Sequence, residues 1–397
     1  MVALNPNATV LEEEGAFAVS DRAAALAREG RSIVNLGIGQ PDFQPPAHIL
    51  EAAEKAARDG PHGYTSPVGM PELREAVAGH VHGRIGVDVD PGQVIIVPGG
   101  KVTIFFACAM FGGPGTEILY PDPGFPPYRE AVRFTGATAV GYPIREENDF
   151  AFDAEEVLSL ITPKTRLIIL NSPANPTGGV VPKAQLDRLA EGLISHPDVA
   201  VLSDEIYSHQ IYDGGPASLL QVPELRDRVV LLDGWSKTFA MTGWRLGYGV
   251  WPAGLIDHVR KLITINHSCV NGPAQMAALA AITGPYDAIE GFRETFMARR
   301  KVVVDGLNGL PGVTCRMPGG AFYAFPNVKE TGWHSTELAV RLLEEAGVAL
   351  LHGGSFGDNG HGYLRVSYAA SRDAISEAID RMGNFLQSAQ PANPHRA

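Results

Sequence analysis

The stretch LDGWSKTFAMTGWRLGYG, from Leu232 to Gly249, indicates the fold and chemistry of this chain most directly. In it Ser236 directly precedes Lys237, and Arg245 follows the lysine by eight residues. An amine in a partly buried pocket loses its charge more readily than one in water, so such a lysine can attack an aldehyde near neutral pH. A nearby arginine can bind a phosphate through its planar guanidinium. By itself the stretch also fits a surface lysine beside a structural arginine.

The composition is that of an ordinary soluble globular protein. The 397 residues are enough for two or three domains, and 45% of them are hydrophobic against 19% charged. The formal net charge of −12 argues against nucleic acid or an anionic membrane as a partner. Any anion must therefore be bound by a local site.

The sequence shows no targeting or membrane-spanning segment. The acidic run from Glu12 to Glu14 contradicts a signal peptide, and the most apolar run, Val102 to Phe111, is about half the length that crosses a bilayer. We therefore expect a soluble cytoplasmic enzyme. Three cysteines without a C-x-x-C pair indicate neither a disulfide framework nor a zinc site, and we expect no bound metal.

Residues 46–285 alternate helical patterns with short apolar runs bounded by Gly, Pro, Asn or Asp. The predicted helices are Ala47–Asp59, Pro71–His82, Lys101–Phe111 and Pro182–Ser195. The predicted strands are Glu117–Tyr120, Thr138–Tyr142, Leu167–Leu170, Ala200–Ser203 and Val229–Leu232. Such alternation predicts a large α/β domain whose mainly parallel sheet is covered by helices on both faces.

After residue 285 the pattern predicts a smaller α+β domain, residues 286–397, to which residues 1–45 contribute. Its predicted helices are Ile289–Asn308, Thr336–Ala346 and Asp373–Leu386, and its predicted strands are Val313–Arg316 and Ala321–Phe325. Residues 388–397 lack any pattern, and we expect this tail to be disordered.

Polar motifs directly follow three of the predicted strands. Asn171 and Asn175 follow LIIL, Asp204 and Tyr207 follow AVLS, and Lys237 follows VVLLDG. Ligands of doubly wound sheets gather at the carboxyl ends of the strands. We therefore expect these residues to form one site.

Together the motifs resemble those of the class I, fold type I pyridoxal-phosphate aminotransferases. The family's S-K-x-x-x-x-x-G-x-R signature is matched by Ser236, Lys237, Gly243 and Arg245, and its N-P-x-N-P-T-G pattern resembles NSPANPTGG around Asn175. The resemblance covers nearly the whole chain in family order, and the prokaryotic aspartate aminotransferases are the branch most resembled. It implies a seven-stranded sheet in the large domain.

The resemblance assigns most of these residues to pyridoxal 5′-phosphate. Lys237 would bind the aldehyde and later act as general base, while Asp204 would pair with the ring nitrogen. Tyr207 and Asn175 would contact the phenolic oxygen of the ring, and Phe125 would stack on its face. The expected phosphate ligands are Gly99, Gly100 and Lys101 at a helix start, Ser236, Arg245, and Tyr64 from a second subunit of a homodimer.

Relatives often carry a second hydroxyl residue where this chain has Gly234, so the phosphate is expected to have one ligand fewer. Each motif also has a plain structural interpretation when it is taken alone. The paired glycines form tight turns elsewhere, Asp204 and Tyr207 fit a helix cap and a packed tyrosine, and NSPANPTGG fits a turn. Phe125 and Tyr64 fit local packing.

The substrate contacts are implied by the same resemblance. Arg365 in LRVSY would hold the α-carboxylate through its guanidinium, assisted by Asn175 and by the backbone of Gly39 in GIGQPDF. Lys101 would reach a distal carboxylate, which favours an acidic donor such as aspartate. Neutral or aromatic donors remain the alternative, because lysines at helix starts commonly point to solvent.

These residues predict a ping-pong aminotransferase that uses an L-amino acid and a 2-oxo acid such as 2-oxoglutarate. β-Elimination, or oxidation by oxygen, shares the first proton abstraction and stays open on the same residues. A non-enzymatic amino-acid sensor is less favoured, because the sequence shows no DNA-binding module and the net charge is negative.

Overall fold

The computed structural model describes residues 2–391. The helices are α1 (Pro6–Thr9), α2 (Gly15–Arg28), α3 (Ala47–Asp59), α4 (Pro71–Ile85), α5 (Lys101–Phe111), α6 (Pro127–Thr135), α7 (Ala154–Ser159), α8 (Lys183–Leu193), α9 (Trp235–Thr238), α10 (Ile256–Asn266), α11 (Gly272–Thr283), α12 (Asp287–Asn308), α13 (Ser335–Arg341) and α14 (Arg372–Ser388). The strands are β1 (Val34–Asn35), β2 (Val94–Val97), β3 (Glu117–Asp122), β4 (Thr138–Pro143), β5 (Thr165–Asn171), β6 (Ala200–Asp204), β7 (Val229–Gly234), β8 (Gly247–Val250), β9 (Tyr323–Ala324), β10 (Val348–Ala349), β11 (Leu351–His352) and β12 (Leu364–Ser367).

A seven-stranded sheet in the order β2-β8-β7-β6-β5-β3-β4 forms the centre of the fold. Its strands run parallel except β8, which is antiparallel to both β2 and β7. The predicted α/β class with a mainly parallel sheet is therefore confirmed. Because parallel strands end at one edge, the segments after β5, β6 and β7 meet there.

The sheet is apolar on both faces because helices cover both. Along β5, Ile168 and Leu170 pack into one core cluster, whereas Leu167 and Ile169 pack into the cluster on the other face. Successive side chains of a strand point to opposite faces, so a continuous aliphatic run is what such a buried strand requires.

Strands β2 and β8 were not among the predicted strands. β8 reads GYGV, and glycine is normally depleted in strands. The backbone explains this glycine: a Cβ on Gly247 would lie 2.6 Å from the backbone nitrogen of Gly100. Gly247 therefore lets the turn before α5 lie directly against the sheet.

The remaining strands form two small sheets outside the central one. β1 pairs in parallel with β10, so the N-terminal segment joins the C-terminal part of the chain, and β11, β12 and β9 form a three-stranded sheet. A separate core cluster includes Val34 and Leu36 together with residues of α12, α13 and α14. The domain boundaries near residues 45 and 285 stay predictions.

Of the two strand predictions in this part, one was wrong and the other was too long. Val313–Arg316 makes only an isolated bridge at Thr314, because the side-chain amide of Asn308 takes both backbone groups of Cys315. Of Ala321–Phe325 only Tyr323–Ala324 is a strand. The Ala321 carbonyl instead accepts hydrogen bonds from two tyrosine hydroxyls.

The C-terminal helix α14 continues through Ser388, so this first residue of the tail predicted to be disordered is helical. Residues 392–397 of that tail lie outside the described residues. Across residues 2–391, every helix is too short or too polar to span a lipid bilayer.

Candidate active site

A cavity of about 450 Å³ lies where the ends of β5, β6 and β7 meet the C-terminal part of the chain. The predicted site residues that line it are Gly39, Gly100, Lys101, Phe125, Asn175, Asp204, Tyr207, Ser236, Lys237, Arg245 and Arg365. These residues come from seven separate segments of the sequence. Their convergence is what the placement of the motifs after the strands predicts.

Asp204 is the last residue of β6 and its side chain is buried. One carboxylate oxygen accepts a hydrogen bond from the Tyr128 hydroxyl at 2.7 Å, and the other accepts from the Ile206 amide at 3.2 Å. Burial raises the pKa of Asp204 to about 6, although both hydrogen bonds favour the ionised form. Both donors are neutral, so the carboxylate is suited to a cationic partner from a ligand.

Lys237 lies on the short helix α9, directly after β7. Its amine donates to the Gly39 carbonyl at 2.6 Å and faces the cavity. Burial, with a smaller effect of the positive charge on Arg365, lowers the pKa of Lys237 to about 8. At pH 7 about a tenth of the amine is therefore unprotonated, and this fraction can act as a nucleophile or base.

Asn171, Asn175 and Arg365 form a chain of hydrogen bonds along the cavity wall. The Asn171 side chain accepts from the Asn175 backbone at 2.9 Å and donates to the Asp204 carbonyl at 3.1 Å. Arg365 on β12 donates to the Asn175 side-chain oxygen at 2.9 Å and to the Gly37 carbonyl. The hydrogen bonds of Asn171 thus hold Asn175 in place, and Asn175 orients Arg365.

The Arg365 side chain is buried, and burial lowers its pKa. Its guanidinium lies 4.7 Å from the centre of the Tyr323 ring and 4.9 Å from that of Phe356. Its buried Nε has no hydrogen-bond partner among the described residues. A buried arginine with a free donor is a ready site for a carboxylate.

Tyr207 and Tyr323 share a hydrogen bond of 2.8 Å between their hydroxyls. Tyr323 also lies against Gly39, where a Cβ would come within 2.2 Å of the Tyr323 hydroxyl. Only glycine therefore allows this close approach. Gly39 positions its carbonyl for Lys237 in this structure, and its predicted contact with a substrate carboxylate stays a prediction.

The turn before α5 combines glycine, a helix N-terminus and an arginine. Gly99 has φ +93°, and a Cβ there would lie 2.2 Å from Arg245 Nη2. Arg245 itself is exposed and donates to the Thr242 carbonyl at 2.7 Å. The positive end of α5 and the guanidinium therefore converge beside Ser236, an arrangement suited to a phosphate.

Lys101 and Phe125 form the outer wall of the cavity. The Lys101 amine lies 5.1 Å from the Phe125 ring centre and 5.8 Å from that of Phe17. It also pairs with the Glu14 carboxylate at 2.7 Å. Lys101 thus points towards the cavity mouth, where it is already paired with the Glu14 carboxylate.

The family is given by comparison with known proteins. A family model described as "Aminotransferase class I and II" matches residues 31–382, which is most of the chain. This chain belongs to the class I and II aminotransferases. The predicted family, and with it the predicted class of enzyme and reaction, is confirmed.

Relatives of this aminotransferase differ in the substrates that their names state. It is 39% identical to an aspartate aminotransferase of Pyrococcus abyssi over 90% of this chain and 92% of that protein. It is also 39% identical to an aromatic-amino-acid aminotransferase of Thermococcus litoralis, over 91% and 94%. The crystal structure of an aspartate aminotransferase from Rhizobium meliloti superposes with a TM-score of 0.92 at 32% identity, covering 98% of this chain and 99% of that chain.

Three residues of this aminotransferase site were missed by sequence reasoning: Tyr128, Tyr323 and Glu14. Tyr128 lies three residues after Phe125 on α6, so its proximity to the aromatic motif was a usable signal. Conversely, Tyr64 is 92% exposed and is absent from the cavity lining within residues 2–391. Its predicted role across a subunit interface stays a prediction.

Proposed function

We propose that this aminotransferase binds pyridoxal 5′-phosphate in the cavity and transfers the amino group of an L-amino acid to a 2-oxo acid. The observation that carries the proposal is the convergence of Lys237, Asp204 and Arg365 in one cavity, and their pKa shifts support it. Asp204, with its pKa raised to about 6, and Lys237, with its pKa lowered to about 8, suit a cationic ring nitrogen and an aldehyde respectively.

The charge of the cavity supports the same ligand. Although the chain carries a formal net charge of −12, the cavity is lined by four cations and only two carboxylates. The cations are Lys101, Lys237, Arg245 and Arg365, and the carboxylates are Glu14 and Asp204. A net excess of two positive charges suits a phosphate together with a substrate carboxylate.

Each part of the cofactor would be held by a distinct group of residues. Ser236, Arg245 and the N-terminus of α5 would bind the phosphate, and Phe125 would pack on the ring face. Asp204 would pair with the ring nitrogen, while Tyr207 and Asn175 would reach the phenolic oxygen. When bound, pyridoxal phosphate supplies an aldehyde that condenses with amines and a cationic ring that stabilises negative charge at the substrate Cα.

Three residues of the cavity would take different roles in the reaction. Arg365 would hold the α-carboxylate, because its buried Nε is free to donate to it. Once displaced by the substrate amine, the unprotonated Lys237 amine would take the proton from the substrate Cα and return it to the carbon on the other side of the amino nitrogen, the one that carried the aldehyde. Asp204 would keep the ring nitrogen cationic throughout.

A steady-state assay with an amino acid and 2-oxoglutarate tests this function. We expect one 2-oxo acid product for each glutamate formed, with the parallel double-reciprocal lines of ping-pong kinetics. Formation of ammonia and pyruvate-type products without glutamate would instead support a β-lyase. Hydrogen peroxide formation with oxygen uptake would support an oxidase.

A homodimer is part of the proposal. Arg245 is exposed in the single chain and borders a surface cavity of about 610 Å³ that is also lined by Trp244 and Asn271. A second copy on this surface would shield the phosphate end of the site and bring its own Tyr64 near it. The mass of the protein in solution would show whether the dimer forms.

Replacement of Tyr128 by phenylalanine should lower kcat by about tenfold, because Asp204 loses its only side-chain donor among the described residues. The Tyr128 hydrogen bond favours the ionised carboxylate, so its loss raises the pKa of Asp204. The acid limb of the pH profile of kcat/KM should therefore move to higher pH. A lower kcat with an unmoved acid limb would contradict this role.

The choice of substrate can be tested at Lys101, since a charge-assisted contact would favour a dicarboxylic donor by about tenfold. We expect Lys101→Ala to lower kcat/KM for aspartate and glutamate by that factor and to leave alanine and phenylalanine within about twofold. Equal losses for all four donors would show that Lys101 does not read a distal carboxylate. Neutral or aromatic donors would then be the better assignment.

A further inference from the structure

Glu14 lies at the cavity mouth, on the segment between α1 and α2. Its Oε2 is 2.7 Å from Lys101 Nζ, with the Glu14 side chain 20% exposed and that of Lys101 47% exposed. Glu14 is the N-cap residue of α2, yet its carboxylate makes no capping hydrogen bond to that helix. Such bonds are usually made by the shorter side chains of Ser, Thr, Asp and Asn. Here the carboxylate is directed to Lys101 instead.

The segment that carries Glu14 is fixed to the body of the protein. The backbone N–H of Glu12 donates to Glu130 on α6 at 3.0 Å, and the Glu12 carboxylate pairs with Arg129 at 2.7 Å. These contacts lie two residues before Glu14. The segment that carries Glu14 is therefore anchored beside the cavity, while the Lys101 side chain stays about half exposed.

The surroundings of the pair are those of a substrate side-chain pocket. The rings of Phe17 and Phe125 flank the Lys101 amine, and the charge of Glu14 partly offsets the lowering of the pKa of Lys237 and of Arg365. Glu14 thus lies within electrostatic reach of the groups that would hold the substrate. The two aromatic rings attract the ammonium, so Lys101 is held there as a cation that a carboxylate can bind.

We propose that Glu14 occupies the position on Lys101 that the distal carboxylate of a dicarboxylic substrate takes, and so sets the preference between dicarboxylic and neutral substrates. A dicarboxylate has to displace Glu14, whereas a neutral amino acid leaves the Glu14–Lys101 pair intact. One cavity can then serve a neutral donor and an acidic acceptor in the two halves of a ping-pong cycle. The inference rests on the proposed amino transfer, because it assigns the side-chain pocket of that reaction.

The test uses the pyridoxal-phosphate-loaded protein and two unreactive ligands of equal chain length, succinate and butyrate. Their dissociation constants would be measured by calorimetry for wild type, Glu14→Gln, Lys101→Met and the double variant, with Glu13→Gln as a matched control on an exposed neighbour. Removing the competing carboxylate should tighten succinate binding in Glu14→Gln by about three- to tenfold and change butyrate by less than about twofold.

The same comparison should show that the effect acts through Lys101. We expect Lys101→Met to weaken succinate binding by about tenfold and to remove most of the gain from Glu14→Gln in the double variant. Equal changes for succinate and butyrate, weaker succinate binding in Glu14→Gln, or no measurable succinate binding to any of the proteins would overturn the role of Glu14.

Failure of this inference can be told apart from failure of the proposed function. Succinate binding needs no turnover, so its dependence on Glu14 stands whether or not glutamate is formed in the amino-transfer assay. If no amino acid is transaminated by wild type, the proposed function fails and the succinate constants alone decide the role of Glu14. If transamination occurs while the succinate-to-butyrate ratio is unchanged by Glu14→Gln, only the role of Glu14 fails.

Discussion

Replacement of Lys237 by alanine is expected to lower kcat by about 10⁴-fold or more, the largest effect of any substitution considered. Lys237 combines a cavity position, a pKa lowered to about 8 and a contact of 2.6 Å with the Gly39 carbonyl. Lys101, the other lysine of the lining, is paired with Glu14 and points to the cavity mouth. The loss would be measured as amino transfer from aspartate to 2-oxoglutarate.

Lys237→Arg is the matched control, because it keeps the positive charge but supplies neither an amine that condenses with an aldehyde nor a base near neutral pH. We expect it to be as inactive as Lys237→Ala while it unfolds at a temperature close to that of wild type. Retention of more than about one per cent of the wild-type kcat in either variant would contradict the assignment of Lys237.

Replacement of Asp204 by alanine should lower kcat by about 10²- to 10³-fold. The carboxylate is buried, raised in pKa to about 6 and held by Tyr128 at 2.7 Å, so it is fixed in place before any ligand binds. Without it nothing would keep the ring nitrogen protonated. Retention of the cofactor should change much less, because Ser236, Arg245 and the start of α5 would still hold the phosphate.

Single-turnover measurements separate these two effects. In Asp204→Ala the rate of α-proton loss should fall by the same factor as kcat. The rate should also be lower with α-deuterated than with ordinary amino acid, which would show that removal of the α-proton is the slow step. Asp204→Asn is the control, because it keeps the shape of the side chain and loses the charge. An unchanged rate of α-proton loss in Asp204→Ala would show that Asp204 does not act on the ring nitrogen.

The central sheet and most of the site were predictable because both depend on short stretches of sequence that can be recognised one at a time. Aliphatic runs such as LIIL are required by a strand buried on two faces, and the polar motifs after those runs are brought together by any parallel sheet. Asn175, Asp204 and Lys237 therefore converge as expected. β8 escaped prediction because it contains two glycines, and Gly247 is required by its contact with the backbone of Gly100, which is distant in sequence.

The residues that were missed depend on contacts between distant segments. Tyr128 and Asp204 are separated by 76 positions, and Lys101 and Glu14 by 87. No periodicity or motif links such pairs, since their proximity follows from how helices and loops pack on the sheet. Glu14 was read only as part of an acidic run at the N-terminus, although the structure places it in the cavity.

Borohydride reduction of the purified, pyridoxal-phosphate-loaded protein, followed by peptide mapping, tests the central claim most directly. Reduction converts the bond between cofactor and lysine into a stable amine, so the site of attachment can be read by mass. We expect one pyridoxyl label per chain on Lys237 and loss of that label in Lys237→Ala. Recovery of the label on Lys101 or any other lysine, or no label at all, would contradict it.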